Sequence, residues 1–303
     1  MRLASVSIDL DELHHYYAIH GLSEPARGEH GVYDTALTRA EAWARSLDLP
    51  LTLFAIGRDL ARPESAATLA KLARSGHEIG NHTLSHRYDL TLRGRAEIER
   101  EVEAGGEAVR AVTGMRPGGF RAPGYLMTDE LADVLTAQGY AYDSSVFPSP
   151  AYYAAKAAKL LSLRLRGRTS RSVRGSASVL LAPTRPYRLG RPYWRAGSGL
   201  LELPVQVTPG ARLPYIGTSI VLLGVDAARV LTRTLMGEPF VNLELHGIDF
   251  LGADDGLEPL FEHQPDAKLP FSRKLAALSG VVELLKQMGY GFVRLDEAAR
   301  AIA

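Results

Sequence analysis

The sequence predicts an α/β protein built on a mostly parallel sheet, open or closed into a barrel. Three observations carry this expectation. Short apolar runs of strand length alternate along the chain with longer runs of helical spacing, the pattern of repeated βα units. Residues able to do chemistry fall where those short runs end: Asp9 and Asp11, His82, Arg121, Asp143 and His246. Parallel α/β folds build their sites at the C-terminal ends of strands. The chain of 303 residues, 46% hydrophobic and 23% charged, is long and apolar enough to bury a large core, which excludes a disordered chain.

Taken in order, residues 3–10 read as a strand ending in acids. Residues 35–47 have helical apolar spacing, and 51–56 form a short buried strand. A helix is expected over 65–74, with Ser65 at its start and Gly76 as its stop. A short strand follows at 77–80. Residues 95–112 form a long charged amphipathic helix stopped by Gly114. Residues 128–138 form a helix behind Thr128 and Asp129, stopped by Gly139, and 140–143 another short strand. Residues 151–163 suit an amphipathic helix. From 164 to 199 the chain is rich in Arg, Ser, Gly and Pro and shows no regular period. Regularity returns at 201–207 and in a helix over 226–236. Residues 240–245 form a buried strand running into His246, and 272–288 a helix. Residues 291–295 form a last strand and 295–302 a terminal helix. There is no internal repeat. One catalytic domain spanning 1–303, with a basic insertion over 144–201, accounts for this pattern better than two independent domains.

The insertion is defined by charge. Residues 144–201 contain no Asp or Glu but carry Lys156, Lys159, Arg164, Arg166, Arg168, Arg171, Arg174, Arg185, Arg188, Arg191 and Arg195. The segment is therefore +11, and with a net charge of +1 the rest of the chain is −10 (1 − 11). Such a stretch is either a solvated insertion paired with acids elsewhere or a surface for phosphate groups or an anionic membrane face. The absence of cysteine excludes disulfides, thiolate metal sites and cysteine nucleophiles, so any metal must be held by His, Asp or Glu. The chain starts directly into a strand-like run, and the apolar run 215–225 is too short to span a bilayer. The expected location is cytoplasmic.

Four local signals carry the chemistry. Asn81-His82-Thr83-Leu84-Ser85-His86 places two His four apart, on one side of a helical turn if the segment is helical, where neutral imidazoles can share a metal. The spacing alone is common. Asp9 and Asp11, two apart at a strand end, face the same way and repel each other unless a positive charge sits beside them. With the His pair, one Asp completes a ligand set and the other is free to act as a base. In Gly119-Phe120-Arg121-Ala122-Pro123-Gly124-Tyr125, Arg121 can hold a carboxylate bidentately, and Gly124 lets the backbone approach a ligand. His246, at the end of a buried strand, is a candidate acid that Asp249 could orient.

In this order the four signals resemble the polysaccharide deacetylase family, also called the NodB-homology domain or carbohydrate esterase family 4. Asp9 and Asp11 match its paired acids, His82-Thr83 to His86 its His-Ser/Thr-x-x-His motif, Arg121 and Pro123 its Arg-x-Pro motif, and Leu243, Leu245 and His246 its Leu-x-Leu-His motif. The resemblance implies a distorted (β/α) barrel. It implies that Asp11, His82 and His86 hold a divalent metal, with zinc the expected ion, and that Asp9 is the base that takes a proton from water. It further implies that His246 protonates the departing amine and that Arg121, with Asp143, keeps Asp9 ionised and oriented. A backbone N–H near Gly124 or Tyr125 would stabilise the oxyanion, and Leu243 and Leu245 would wall a small acyl pocket.

The sequence also departs from the commonest family members. Leu10 separates the acids, as in a subset that includes intracellular enzymes and a deformylase of lipid-linked aminoarabinose. Tyr142-Asp143-Ser144-Ser145 lacks the usual following Trp, and His246-Gly247-Ile248-Asp249 differs from the simplest chitin deacetylases. These departures argue against a bulk polymer. The expected reaction is hydrolysis of an N-acyl group, acetyl before formyl, from an amino sugar. The basic stretch and its aromatics Tyr152, Tyr153, Tyr187, Tyr193 and Trp194 point to a phosphate-lipid-linked sugar and peripheral contact with the inner membrane face. Soluble oligosaccharides or nucleotide sugars are the alternative substrates. A non-catalytic carbohydrate- or lipid-binding module is the alternative of another class. A His/His/carboxylate set also serves Fe(II) oxygenases, but those sites sit in double-sheet β folds. No nucleic-acid module accompanies the Arg-rich stretch, so no nucleic-acid partner is expected.

Overall fold

The computed structural model describes residues 2–23, 30–173 and 175–303. Arg174, one of the eleven cations of the basic stretch, lies outside the described residues. The elements run β1 (Arg2–Asp9), α1 (Leu13–His20), α2 (Leu37–Ser46), β2 (Leu51–Ala55), α3 (Pro63–Arg74), β3 (Glu78–Asn81), α4 (Arg95–Thr113), β4 (Gly119–Phe120), α5 (Asp129–Ala137) and β5 (Tyr142–Asp143). They continue as α6 (Pro150–Leu165), β6 (Tyr187–Leu189), β7 (Ala196–Glu202), α7 (Gly217–Arg233), β8 (Phe240–His246), α8 (Phe271–Gln287), β9 (Tyr290–Phe292) and α9 (Leu295–Ile302).

The strands lie in the order β6-β7-β5-β4-β3-β2-β1-β8, with β9 pairing to the start of β1. Every pairing is parallel except the β6–β7 hairpin at the edge. Between β7 and β8 the ladder is replaced by irregular contacts: Gln206 N donates to Asn242 O (3.2 Å), and Ile216 bridges Glu244. The sheet curls into the expected distorted (β/α) barrel, closed by loops on that side.

Side-chain alternation along β1 and β8 sets the layers. Val6 and Ile8, like Leu243 and Leu245, are wholly buried in the main core with residues of α2, α7 and α8. Ser7, Asp9, Asn242, Glu244 and His246 occupy the alternate positions and face the barrel interior, where Ser7 and Asp9 meet Arg121. Burying each such Leu or Ile stabilises the fold by roughly 1.5–3 kcal/mol. A second core packs β4, α4 and α5 against residues 179–200. The register aligns Asp9 with Phe54 and His246, Asn81 with Phe120, and Phe120 with Asp143, so these strands end at one rim.

Several sequence expectations shift. Helix α3 starts at Pro63, not Ser65, because proline fits the first turn of a helix, where no N–H is needed. Helix α1 was not legible, because its apolar spacing is interrupted by His14, His15 and His20. The strand expected from 201 begins at Ala196 and pairs with the unforeseen β6, an edge hairpin whose outer face is exposed and so lacks an apolar signal. Helix α7 begins at Gly217 and breaks at Gly224 (φ 74°, ψ 178°). The segment 144–201 thus supplies one edge of the sheet as well as α6. Among the described residues, no helix is long and apolar enough to cross a membrane.

Candidate active site

Asp11, His82 and His86 converge just past the rim. Asp11 Oδ1 lies 3.3 Å from His82 Nε2 and 3.1 Å from His86 Nε2, and the two Nε2 atoms are 3.1 Å apart. A tetrahedral ion with ligand bonds of about 2.1 Å places its donors about 3.4 Å apart, so this triangle fits one. The donor chemistry agrees. His82 Nδ1 lies 2.7 Å from Arg121 O, which accepts its proton and leaves the Nε2 lone pair facing the triangle. Asp11 Oδ1 is buried and accepts no well-aligned hydrogen bond. Three donor atoms converging in a buried site could hold a cation. Burial raises the Asp11 carboxyl, but His86 and His82 overrule it and hold it well below its ordinary range. Burial pulls both imidazoles down. For His82 the Asp9 and Asp11 carboxylates outweigh it, whereas for His86 they do not.

The His82–His86 segment is not the helical turn its spacing suggested. It is a loop in which Thr83 (φ 67°) and His86 (φ 52°) adopt left-handed backbone. Asn81 Oδ1 accepts from Thr83 N (2.9 Å), Thr83 Oγ1 from His86 N (3.0 Å), and Glu101 of α4 from Ser85 N (3.0 Å). These side-chain bonds hold the strained turn in place.

Asp9 sits beside the triangle, its Oδ2 3.8 Å from His82 Nε2. Arg121, fully buried, gives Asp9 Oδ1 one bond of 2.7 Å, not the bidentate pair expected. Its other donors go to Ser7 Oγ (2.9 Å), Ser144 Oγ (2.8 Å) and Ser144 O (2.8 Å). Asp143 does not tether Arg121. Its carboxylate accepts from Ser145 N (3.0 Å) and Ser145 Oγ (2.7 Å), and that hydroxyl accepts from Ala122 N (2.7 Å). Asp143 thus shapes the strand end after Arg121, while Ser7 and Ser144 fix the guanidinium. The chain direction at Ser145 explains this, since its turn folds back over Asp143.

His246 lies across from Asp9. Its Nδ1 is 2.9 Å from Glu244 Oε1, and Asp9, Glu244 and His246 bring donor atoms within 4.8 Å of one another. Burial lowers His246, but Glu244 outweighs it and holds the imidazole well above its ordinary value. Asp249, the expected orienting residue, instead accepts from the His246 backbone N–H (2.9 Å) at the start of a short 3-10 turn. Glu244 was missed, although its place two residues before His246 on one strand face was a readable signal.

A cavity of about 430 Å³ opens above these residues, reached by Asp9, Asp11, His82 and His246. Gly124 (φ 64°) lines it where an added Cβ would meet Tyr88 at 3.1 Å, so glycine is needed for both reasons. Tyr125 also lines it, packed edge-on against Phe147 and Tyr152, but its N–H already donates to Ala122 O (3.1 Å). Leu243 and Leu245 do not wall this cavity. Both point outward from β8 into the helix layer, because His246 and Glu244 take the inward positions. The apolar wall comes from Tyr16, Ile19, Tyr88, Tyr152 and Ile216.

The basic stretch is divided. Lys156 and Lys159 of α6 line the cavity. Lys156 Nζ lies 3.4 Å from Gly124 O and over the Tyr152 ring, and burial lowers it to about 8. Arg185 and Arg191 pair with Glu238 and Asp133, and Arg188 lies near Arg294 at the opposite end of the strands. The +11 segment is therefore not one surface.

Known proteins agree with this architecture. The family model for polysaccharide deacetylase matches residues 33–142. A solved structure from Mycobacterium smegmatis, assigned to the polysaccharide deacetylases, superposes with a TM-score of 0.63 at 18% identity, covering 99% of this chain and 90% of that one. A carbohydrate esterase family 4 pseudoenzyme from Bacillus anthracis superposes at 0.51 and 14% identity, covering 98% and 65%. The Bc1960 peptidoglycan N-acetylglucosamine deacetylase superposes at 0.50 and 14%, covering 97% and 86%. At such identities these structures establish likeness of fold. Residues 33–142 thus match the polysaccharide deacetylase family model, on a fold that the whole chain shares with solved carbohydrate esterase family 4 structures.

Proposed function

We propose that this protein is a metal-dependent hydrolase that removes an N-acyl group, acetyl in the first instance, from an amino sugar. One observation carries the reading. A ligand triangle, a carboxylate held by a buried arginine and an imidazole held by a buried carboxylate meet at the base of one cavity.

Asp11, His82 and His86 would hold the ion, which supplies Lewis acidity for the amide carbonyl and for water. Asp9 takes a proton from the attacking water, and its bond to Arg121 keeps the other oxygen turned toward the ligand triangle. The Gly124 N–H serves the developing oxyanion, since the Tyr125 N–H is engaged within its own turn. As the C–N bond breaks, His246 delivers a proton to the departing nitrogen, and Glu244 keeps that proton available. The products are a carboxylate and a primary amine.

The finer substrate reading rests on α6. Lys156 and Lys159 face the cavity, and among the described residues no acid pairs with either. The exposed Leu161 and Leu165 stand beside Arg164 on the same helix and Arg166 just past its end. This combination suits an amino sugar joined through phosphate to a lipid, with the helix resting on an anionic membrane face. The test is primary-amine release from lipid-phosphate-linked N-acetylhexosamine and from soluble N-acetyl oligosaccharides, with bound metal assayed alongside. Asp9→Asn should keep its metal and lose about 10²–10⁴-fold in kcat. Release from the soluble substrates alone would remove the lipid reading, and release from neither would remove the hydrolase.

A further inference from the structure

The geometry points to a second divalent-cation site, formed by His14, His15 and Asp59, behind the ligand triangle and separate from it. His14 and His15 come from the first turn of α1, and Asp59 from the 3-10 turn Gly57–Ala61 that follows β2. One donor atom from each lies within 4.8 Å of the other two. Two imidazoles and one carboxylate make a ligand set suited to zinc, cobalt, nickel or manganese.

The cluster is built for a ligand rather than packed by chance. His15 is buried, and its Nε2 has no hydrogen-bond partner. Asp59 Oδ2 is likewise buried without one. A polar atom left bare inside a protein is costly, and here two of them, an imidazole nitrogen and a carboxylate oxygen, belong to residues whose donor atoms gather within 4.8 Å of one another. No Lys or Arg is paired with Asp59 among the described residues to explain its burial. A cation satisfies both atoms at once.

The placement also links this site to the first. The His15 ring lies 4.4 Å from that of His86 and 4.0 Å from that of His14. His15 is therefore the member of the second set that touches the first, with its ring against that of His86. The cluster opens to a cavity of its own, of about 910 Å³, lined also by Ser85, His86 and Arg171. That cavity gives an ion a route that does not pass through the substrate cavity. An ion held here would fix the ring of His15, and through it the wall against which His86 rests. The inference does not depend on the deacylation reading, since it concerns other side chains and is read by metal content.

The experiment titrates zinc alone into chelator-stripped, full-length protein by calorimetry and measures bound metal after gel filtration. It compares wild type with Asp59→Asn, His14→Ala and His82→Ala, each checked for folding by circular dichroism. Wild type should bind two equivalents. Asp59→Asn and His14→Ala should each lose one and keep the other, and His82→Ala should lose the other. A single equivalent in wild type that survives Asp59→Asn would overturn the second site. So would two equivalents in wild type with neither lost in Asp59→Asn or His14→Ala. A single equivalent lost in Asp59→Asn but kept in His82→Ala would uphold this site and overturn the triangle instead.

Discussion

Asp9 and Asp11 are the same residue type two positions apart, yet their surroundings assign them different work. Asp11 faces two imidazoles, while Asp9 faces a guanidinium, which is why the proposed reading makes one a ligand and the other a base. His246 and Glu244 form a comparable pair on the neighbouring strand β8. Burial alone would empty the imidazole of its proton near neutrality, and the Glu244 carboxylate reverses that. Because Glu244 raises the His246 value, removing its charge must lower it. Glu244→Gln should therefore move the alkaline limb of the kcat–pH profile to lower pH. A limb that stays in place in this variant would show that His246 is not the acid.

At the scale of elements, α4 positions the His82–His86 loop. Its Gly105 packs so closely on the loop that an added Cβ would lie 2.4 Å from Asn81 Oδ1, 2.6 Å from Thr83 C and 2.8 Å from Leu84 N. Two of these are backbone atoms and cannot turn aside. Gly105→Ala should thus push Thr83 and Leu84 outward and spread His82 from His86. The expected results are a loss of about 1–3 kcal/mol in denaturant unfolding and weaker metal retention. Metal retained as in wild type would mean that α4 does not set the loop. Glu101, one turn earlier, works toward the same end by accepting from both Ser85 N and Ser85 Oγ.

At the scale of the molecule, the barrel divides its labour between two ends. The C-terminal ends of β1, β3 and β8 bring Asp9, Asp11, His82 and His246 to one cavity, with Arg121 from the end of β4 behind Asp9. Helix α6, from the segment without acids, adds Lys156 and Lys159 to the rim of that cavity, while Arg185 and Arg191 pair with acids elsewhere. If the rim reads phosphate, Lys156→Ala and Lys159→Ala should raise KM for a phosphate-bearing amino sugar by about tenfold or more, the weight of a charged hydrogen bond. Added salt should weaken wild type on that substrate and leave a neutral N-acetyl sugar unaffected. Equal effects on both substrates would assign the lysines to structure.

The sequence by itself determined the βα order, the strand ends and the residue types that gather there. Those features are local: period and turn chemistry are written in neighbouring residues, and Asp, His and Arg declare their chemistry wherever they stand. Only the tertiary structure decided the partners. Arg121 finds Ser7 and Ser144 rather than Asp143, and His246 finds Glu244 rather than Asp249. Leu243 and Leu245 turn to the helices because both faces of β8 are buried, and a strand buried on both faces does not state which one looks inward. The left-handed residues at Thr83 and His86, and the meeting of His14 and His15 with Asp59, arise from contacts between segments far apart in the chain. Such contacts have no local period to mark them.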